Sequence, residues 1–184
     1  MVENDMTAEN LRSAFGGESQ AYQRYQVWAD KAEEDGFSGV GTLFRAVAYA
    51  EQVHARNHFQ AMDNLEGDHL VASGGVFGLD DTASNLAGAI AGEEHEIDQM
   101  YPAFSLVAKN QKESEAVKSF HYAEEAEKTH AELFKEAKDA VERGSDFTVN
   151  FVAVCDVCGH TTADEIPEYC PVCGESQEKF EKFE

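Results

Sequence analysis

The chain has 184 residues, of which 42% are apolar and 27% charged, and its 14 basic and 36 acidic residues give a formal net charge of −22. This is the composition of a globular chain, long enough for one domain and a small appendage, and its acidity excludes duplex DNA and anionic membranes as partners. There is no run of about 18 apolar residues and no basic-then-apolar leader, so the expected location is the cytoplasm rather than a membrane or the exterior.

In chain order, a first helical pattern covers 7–34 and breaks at "EEDGFSG" (33–39), where Gly36 suits the left-handed position after a helix. A second pattern covers 40–65. The segment "LEGDHLVASGGVFGLDD" (65–81) is a long connection, fit for a crossover or for exchange between subunits. A third pattern covers 82–109 and a fourth 114–143, parted by "KNQKES" (109–114) and closed by "ERGSDF" (142–147). Helices of roughly 25–30 residues are normal for a bundle. Pro102 falls inside the third pattern, where its missing backbone donor predicts a bend.

Steps of four and three along each pattern trace bundle seams whose centres are ionisable. The first reads Leu11, Phe15, Glu18, Tyr22, Tyr25, Ala29, Ala32, and the second Val40, Phe44, Val47, Glu51, His54, His58, Ala61, Leu65. The third reads Leu86, Ile90, Glu93, Ile97, Met100, Phe104, Val107, and the fourth Ala116, Phe120, Ala123, Glu127, His130, Phe134, Ala137, Val141. "TAENL" (7–11) matches "TASNL" (82–86), so residues 7–65 and 82–143 are two copies of one helical hairpin, offset by about 75. Glu18 precedes Glu51 by 33 residues, and Glu93 precedes Glu127 by 34.

Four carboxylates at one level of a core raise one another's pKa and cost far more to bury than hydrogen bonds return. A pair of divalent cations removes the conflict. One glutamate from each of two helices, with Glu-x-x-His from each of the other two, is the ligand set of di-iron and di-manganese carboxylate bundles. A lone Glu-x-x-His is usually a solvated helix face; two of them in a duplicated frame with two more seam glutamates point to a metal pair. Glu96 lies one turn after Glu93, and its counterpart is Ala21, so one half has an extra carboxylate. One metal is expected to exchange Glu96 for His54 as its oxidation state changes, oxygen favouring the oxidised ion. His58 reads as a supporting or packing residue, and His69, His95, His121 and His160 as surface or locally hydrogen-bonded groups. Tyr22, Tyr25 and Tyr101 read as core, with a hydroxyl-to-carboxylate bond expected for at least one.

Residues 155–174, "CDVCGHTTADEIPEYCPVCG", hold two C-x-x-C-G knuckles, a tetrathiolate site formed by Cys155, Cys158, Cys170 and Cys173. The flanks "FTVNFVAV" and "EKFEKFE" predict short strands, in a module too small to fold without its metal. Spacing alone favours zinc; a redox-active metal pair on the same chain shifts the reading to iron as an electron carrier.

Over nearly its whole length the chain resembles the rubrerythrins, through "GESQAYQRY" (17–25), "AEQVH" (50–54), "AGEEHEIDQMYP" (91–102), "AEKTH" (126–130) and the "CDVCG…CPVCG" tail. The resemblance implies a mainly α fold: a ferritin-like four-helix bundle with a long crossover over 1–146, and a rubredoxin-like four-cysteine domain with short β strands over 147–184. It implies di-iron ligands at Glu18, Glu51, His54, Glu93, Glu96, Glu127 and His130, outer-sphere tyrosines at Tyr25 and Tyr101, and iron at the four cysteines. It further implies a cytoplasmic homodimer that reduces hydrogen peroxide, with electrons from rubredoxin or an NAD(P)H-dependent reductase. His160 departs from the family, where an aromatic more often follows "CG". The alternative is a ferroxidase or oxygen-activating di-iron protein with a structural zinc ribbon.

Overall fold

The computed structural model describes residues 2–184. Helix α1 (Asp5–Glu34) turns at Gly36, which has φ +92°, into α2 (Ser38–Ala61). Phe37 N–H donates to Ala32 O at 2.8 Å and closes the α1 terminus, so Gly36 takes the left-handed position expected of it. α2 stops at Ala61, four residues before the predicted 65. Asn64 there exchanges two hydrogen bonds of 2.8 Å with the backbone of Val2, which holds the chain outside the helix.

Residues 65–81 then run back along α1. Gln20 Nε2 donates to Gly74 O at 2.7 Å and Trp28 Nε1 to Gly78 O at 2.9 Å. The segment is a crossover lying on its own chain. It ends beside the C-terminus of α1, where the Thr82 hydroxyl donates to Asp35 at 2.8 Å. α3 (Thr82–His95) starts there, capped by the Asp81 carboxylate, which accepts from Ser84 N–H at 2.8 Å. A π turn (Glu96–Met100) leads into α4 (Tyr101–Gln111), and α5 (Ser114–Glu142) completes the ferritin-like four-helix bundle.

The π turn corrects the predicted third seam. A π turn adds one residue to an α-helix, so the buried face beyond it is not Met100, Phe104 and Val107 but Tyr101, Ser105 and Ala108. Pro102 directly follows the π turn, so its missing N–H falls where the α-helical hydrogen-bond ladder is already interrupted. The same added residue accounts for the unequal spacing of the two copies. Leu11 and Leu86, or Glu18 and Glu93, are 75 apart; Tyr25 and Tyr101, Glu51 and Glu127, or His54 and His130 are 76 apart. The duplication extends to the helix ends. Thr7 donates to Gln111 at the end of α4 (2.6 Å), just as Thr82 donates to Asp35 at the end of α1.

Two apolar layers sandwich the ionisable level. One is built on Tyr25, Trp28, Phe44, Leu86 and Phe134, the other on Leu11, Tyr101, Phe120 and Ala123. The C-terminal module is an antiparallel sheet in the order β2 (Thr161–Ala163), β1 (Val152–Cys155), β3 (Phe180–Phe183). Val152 and Val154 of the buried strand β1 join the first apolar layer, and Phe183 packs on Tyr49 of α2. The module therefore sits on the bundle of its own chain.

Candidate metal centres

The heptad-like seams deliver Glu18, Glu51, His54, Glu93, Glu127 and His130 to one level, each at most 1% exposed. They fall into two overlapping groups, Glu18–Glu51–His54–Glu127 and Glu51–Glu93–Glu127–His130, within each of which the ligand atoms lie no more than 4.8 Å apart. Glu51 and Glu127 belong to both groups, as bridging carboxylates must. His54 Nδ1 lies 3.0 Å from Glu51 and 2.9 Å from Glu127, and His130 Nδ1 lies 2.6 Å from Glu127. Each Glu-x-x-His thus turns its imidazole toward the carboxylates one helical turn away.

These residues fit a cation pair. Glu18 Oε2 and Glu93 Oε2 are buried without a hydrogen-bond donor, a costly state for protein alone. Burial, and next the charges of neighbouring carboxylates, push Glu51, Glu93 and Glu96 well above the ordinary carboxylate range. Cations at the shared oxygens satisfy the bare lone pairs and remove the repulsion in one step.

The hydroxyl-to-carboxylate bond expected of at least one tyrosine is made by two, and each crosses between the copies. Tyr25 donates to Glu93 at 2.5 Å, and Tyr101 donates to Glu18. Tyr22 is half-buried against the first apolar layer. Glu96 stands apart from both ligand groups. It is half-buried in the π turn and lines a cavity of about 480 Å³ with Arg24, Gly92, Gln99 and Met100.

The second site is equally well defined. Cys155 and Cys173 Sγ lie 3.6 Å apart, and Cys158 and Cys170 Sγ 3.5 Å. That is far from the ~2.05 Å of a disulfide and near the edge, about 3.8 Å, of a tetrahedron with metal–sulfur bonds of about 2.3 Å. Its first knuckle touches both site histidines. Gly159, at φ +83°, packs so tightly on His54 that a Cβ there would collide with Nε2. Thr161 Oγ1 lies 2.9 Å from His130 Nε2 and donates to Gly159 O at 3.0 Å. Asn57 Nδ2 donates to Val157 O at 2.9 Å, and Arg56 donates to Asp156 O, clamping the knuckle to α2.

His69, His95 and His121 are exposed, as expected. His160 is a correction: it is 7% exposed with Nδ1 unpartnered, because the knuckle carrying it is pressed against the bundle. Sequence reading also missed Thr161 and Ser119, since a lone hydroxyl carries no spacing signal until a partner from another helix is placed beside it.

A four-helix bundle with a paired carboxylate–histidine site, joined to a four-cysteine knuckle, defines the class of di-iron carboxylate proteins that carry their own thiolate-metal module. The Rubrerythrin family model matches residues 9–138, and that of the rubrerythrin, rubredoxin-like domain matches 154–181. Rubrerythrin-2 of Clostridium acetobutylicum is 48% identical over 99% of both chains. Nigerythrin of Nitratidesulfovibrio vulgaris is 31% identical over 96% of this chain and 86% of its own. The fully reduced, all-ferrous structure of nigerythrin superimposes with a TM-score of 0.87 at 28% identity, covering 99% of this chain and 89% of that one. The chain belongs to the rubrerythrin family: it is a di-iron protein with a rubredoxin-like iron site.

Proposed function

We propose that the chain reduces hydrogen peroxide to water, H2O2 + 2 H⁺ + 2 e⁻ → 2 H2O, at the paired site. The observation that carries this reading is the contact of the four-cysteine knuckle with both site histidines, through Gly159 on His54 and Thr161 on His130. A structural zinc ribbon or an iron store has no use for that placement, whereas an electron carrier does. Glu18, His54, Glu93 and His130 are assigned as terminal ligands, Glu51 and Glu127 as bridges, and Glu96 as a carboxylate that replaces His54 in the oxidised state. Cys155, Cys158, Cys170 and Cys173 hold the single iron. The division between the two units falls near residue 146.

The iron pair, when bound, supplies the two electrons that split the O–O bond. Peroxide reaches the site through the cavity beside Glu96, where Arg24 and Gln99 offer donors to its oxygens. Burial, and next the adjacent carboxylates, raise both the Tyr25 and Tyr101 phenols well above their usual pKa. They therefore stay protonated and hold donors at Glu93 and Glu18, from which the departing oxygens take protons.

Electrons come from a rubredoxin or an NAD(P)H-dependent reductase in the cytoplasm. No helix among the described residues is long and apolar enough to cross a membrane. Leu70 (94% exposed), Phe77 (89%) and Leu79 (62%) on the crossover present an apolar face that supports a homodimer.

The test is an anaerobic optical spectrum of the dithionite-reduced chain before and after a small excess of peroxide. Return of visible ferric–thiolate colour within the mixing time is expected. A chain that stays colourless throughout contradicts the reading. Structures of the oxidised and reduced forms with identical ligands would remove the Glu96–His54 exchange.

A further inference from the structure

The duplication allows the two halves of the site to be compared position by position. In one half, Tyr25 donates to Glu93 and is otherwise boxed by Trp28, Phe44 and Phe134, with ring centroids 5.4 to 5.7 Å away. In the other, Tyr101 donates to Glu18, and its hydroxyl lies 3.0 Å from His58 Nε2. His58 Nδ1 in turn lies 2.8 Å from Ser119 Oγ. At the offset of 76, His58 stands where the first half has Phe134, and Ser119 where it has Leu43. Phe134 and Leu43 are both fully buried in an apolar layer. Hydrocarbon therefore meets the packing need at these two positions. An imidazole at 0% and a hydroxyl at 5% exposure carry a desolvation cost that the fold does not require. Ser119 also lines a surface cavity of about 240 Å³ with Glu115, Lys118 and Tyr122.

We propose that Ser119, His58 and Tyr101 form a one-sided proton path from this cavity to Glu18. Its use in turnover rests on the peroxide-reducing reading, but its geometry does not. His58 Nε2 is 3.7 Å from Glu18 Oε1, too far for a hydrogen bond, so the Tyr101 hydroxyl is the link between them. The donors all point inward. Tyr101 Oη–H is spent on Glu18, so a neutral His58 must donate from Nε2 to Tyr101 Oη and accept at Nδ1 from Ser119 Oγ–H. In one passage each O–H or N–H bond breaks as the next forms. One proton leaves at Glu18, one enters at Ser119 from cavity water, and the imidazole changes tautomer without a net change in charge. Tyr25 has no such supply and can give only the proton it already holds.

Two experiments on the full-length chain test this. The first follows exchange of the His58 ring proton with solvent by nitrogen-15 NMR in the zinc-loaded protein, where no peroxide chemistry runs. Ser119→Val puts a methyl where the hydroxyl stands and should slow that exchange at least about tenfold. Tyr101→Phe removes the acceptor of that Nε2 proton and should slow its exchange as well. Exchange in Ser119→Val as fast as in the unmodified chain overturns the path. The second experiment measures turnover of the iron-loaded protein. His58→Phe and Ser119→Val should each lower kcat about tenfold or more, with KM unchanged and a larger solvent isotope effect. Ser119→Val is decisive should His58→Phe fail to fold, and an unchanged kcat in it overturns the path. If the unmodified chain does not reduce peroxide, the functional reading fails, while the exchange experiment still decides the path.

Discussion

The bundle and the four-cysteine module meet their metals by opposite routes. In the bundle, Leu11, Phe44, Leu86, Phe120 and Phe134 are fully buried in layers on either side of the site. The carboxylates interrupt a core that folding has already made, and metal relieves a penalty there. In the module, the buried cluster consists of Cys155, Cys158 and Cys170, with only partly buried Val157, Val172 and Phe180 around it. Those cysteines are the core, and their metal takes the place of the missing hydrocarbon. The ligand set is thus a load that the metal relieves in one region, and together with its metal the source of stability in the other.

The largest expected effect tests this contrast directly. Structural tetrathiolate metal contributes about 10–16 kcal/mol to folding in small domains. Anaerobic chelation of both sites should abolish the strand pairing of residues 152–183 while α1 to α5 remain helical. Backbone NMR shifts or hydrogen exchange would separate the two regions. A module that keeps its sheet after chelation would mean that Val152, Val154 and Phe183, packed on the bundle, hold it unaided.

Gly159 joins the two regions, and Gly159→Ala should uncouple them. The left-handed backbone costs an alanine about 1–2 kcal/mol, and its Cβ collides with His54. The module must shift off the histidine. The ferric–thiolate spectrum should be preserved while reoxidation of that iron by peroxide slows at least about tenfold. Unchanged reoxidation would show that electrons do not pass through this contact.

The contrast also governs what the sequence revealed. The bundle was legible because its periodicity, its duplicated "TAENL"/"TASNL" frame and its seam-centred glutamates are local or repeating signals, and because four C-x-x-C cysteines tie the module to a metal. The register beyond Glu96 was not legible, because a π turn leaves the residue types of an α-helix unchanged. Its trace was the spacing of 34 against 33 residues between the paired glutamates, which became interpretable once Tyr101 was seen at the position of Tyr25. Thr161, Ser119 and the packing of His160 depend on which surfaces of the module and bundle meet. That information lies in no single segment.

A third variant sharpens the claim that the glutamates burden the bundle. Glu51→Leu keeps His54 in contact with Glu127, 2.9 Å away, and removes a buried carboxylate. The metal-free variant should be more stable than the metal-free parent by about 1–4 kcal/mol, read from thermal unfolding of the helices, while iron-pair binding is lost. A metal-free variant less stable than the parent would mean that Glu51 helps hold the bundle together.

The smallest effect is one of sign. In the metal-free chain, burial and neighbouring carboxylates raise Glu51, Glu93 and Glu96 well above 4.5, so the folded state holds protons that the unfolded state has released. Their contribution is complete below about pH 4.5 and is lost as pH climbs through the raised folded values. His54 adds to the same trend: burial alone would lower it, but Glu127 carries it to about 9. His130, which burial lowers to about 4, and His58, which burial also lowers, act in the opposite sense but only below about pH 6.5. The metal-free bundle should therefore lose stability from about pH 6.5 to 8. The iron-loaded bundle should gain relative to it, because its ligands bind only when deprotonated and iron competes with those protons. Each unit of raised pKa is worth about 1.4 kcal/mol. Repulsion from the acidic surface is common to both forms and cancels in the difference. Melting temperatures of the two forms across that range should diverge with rising pH; parallel curves would place the titrating protons outside the site.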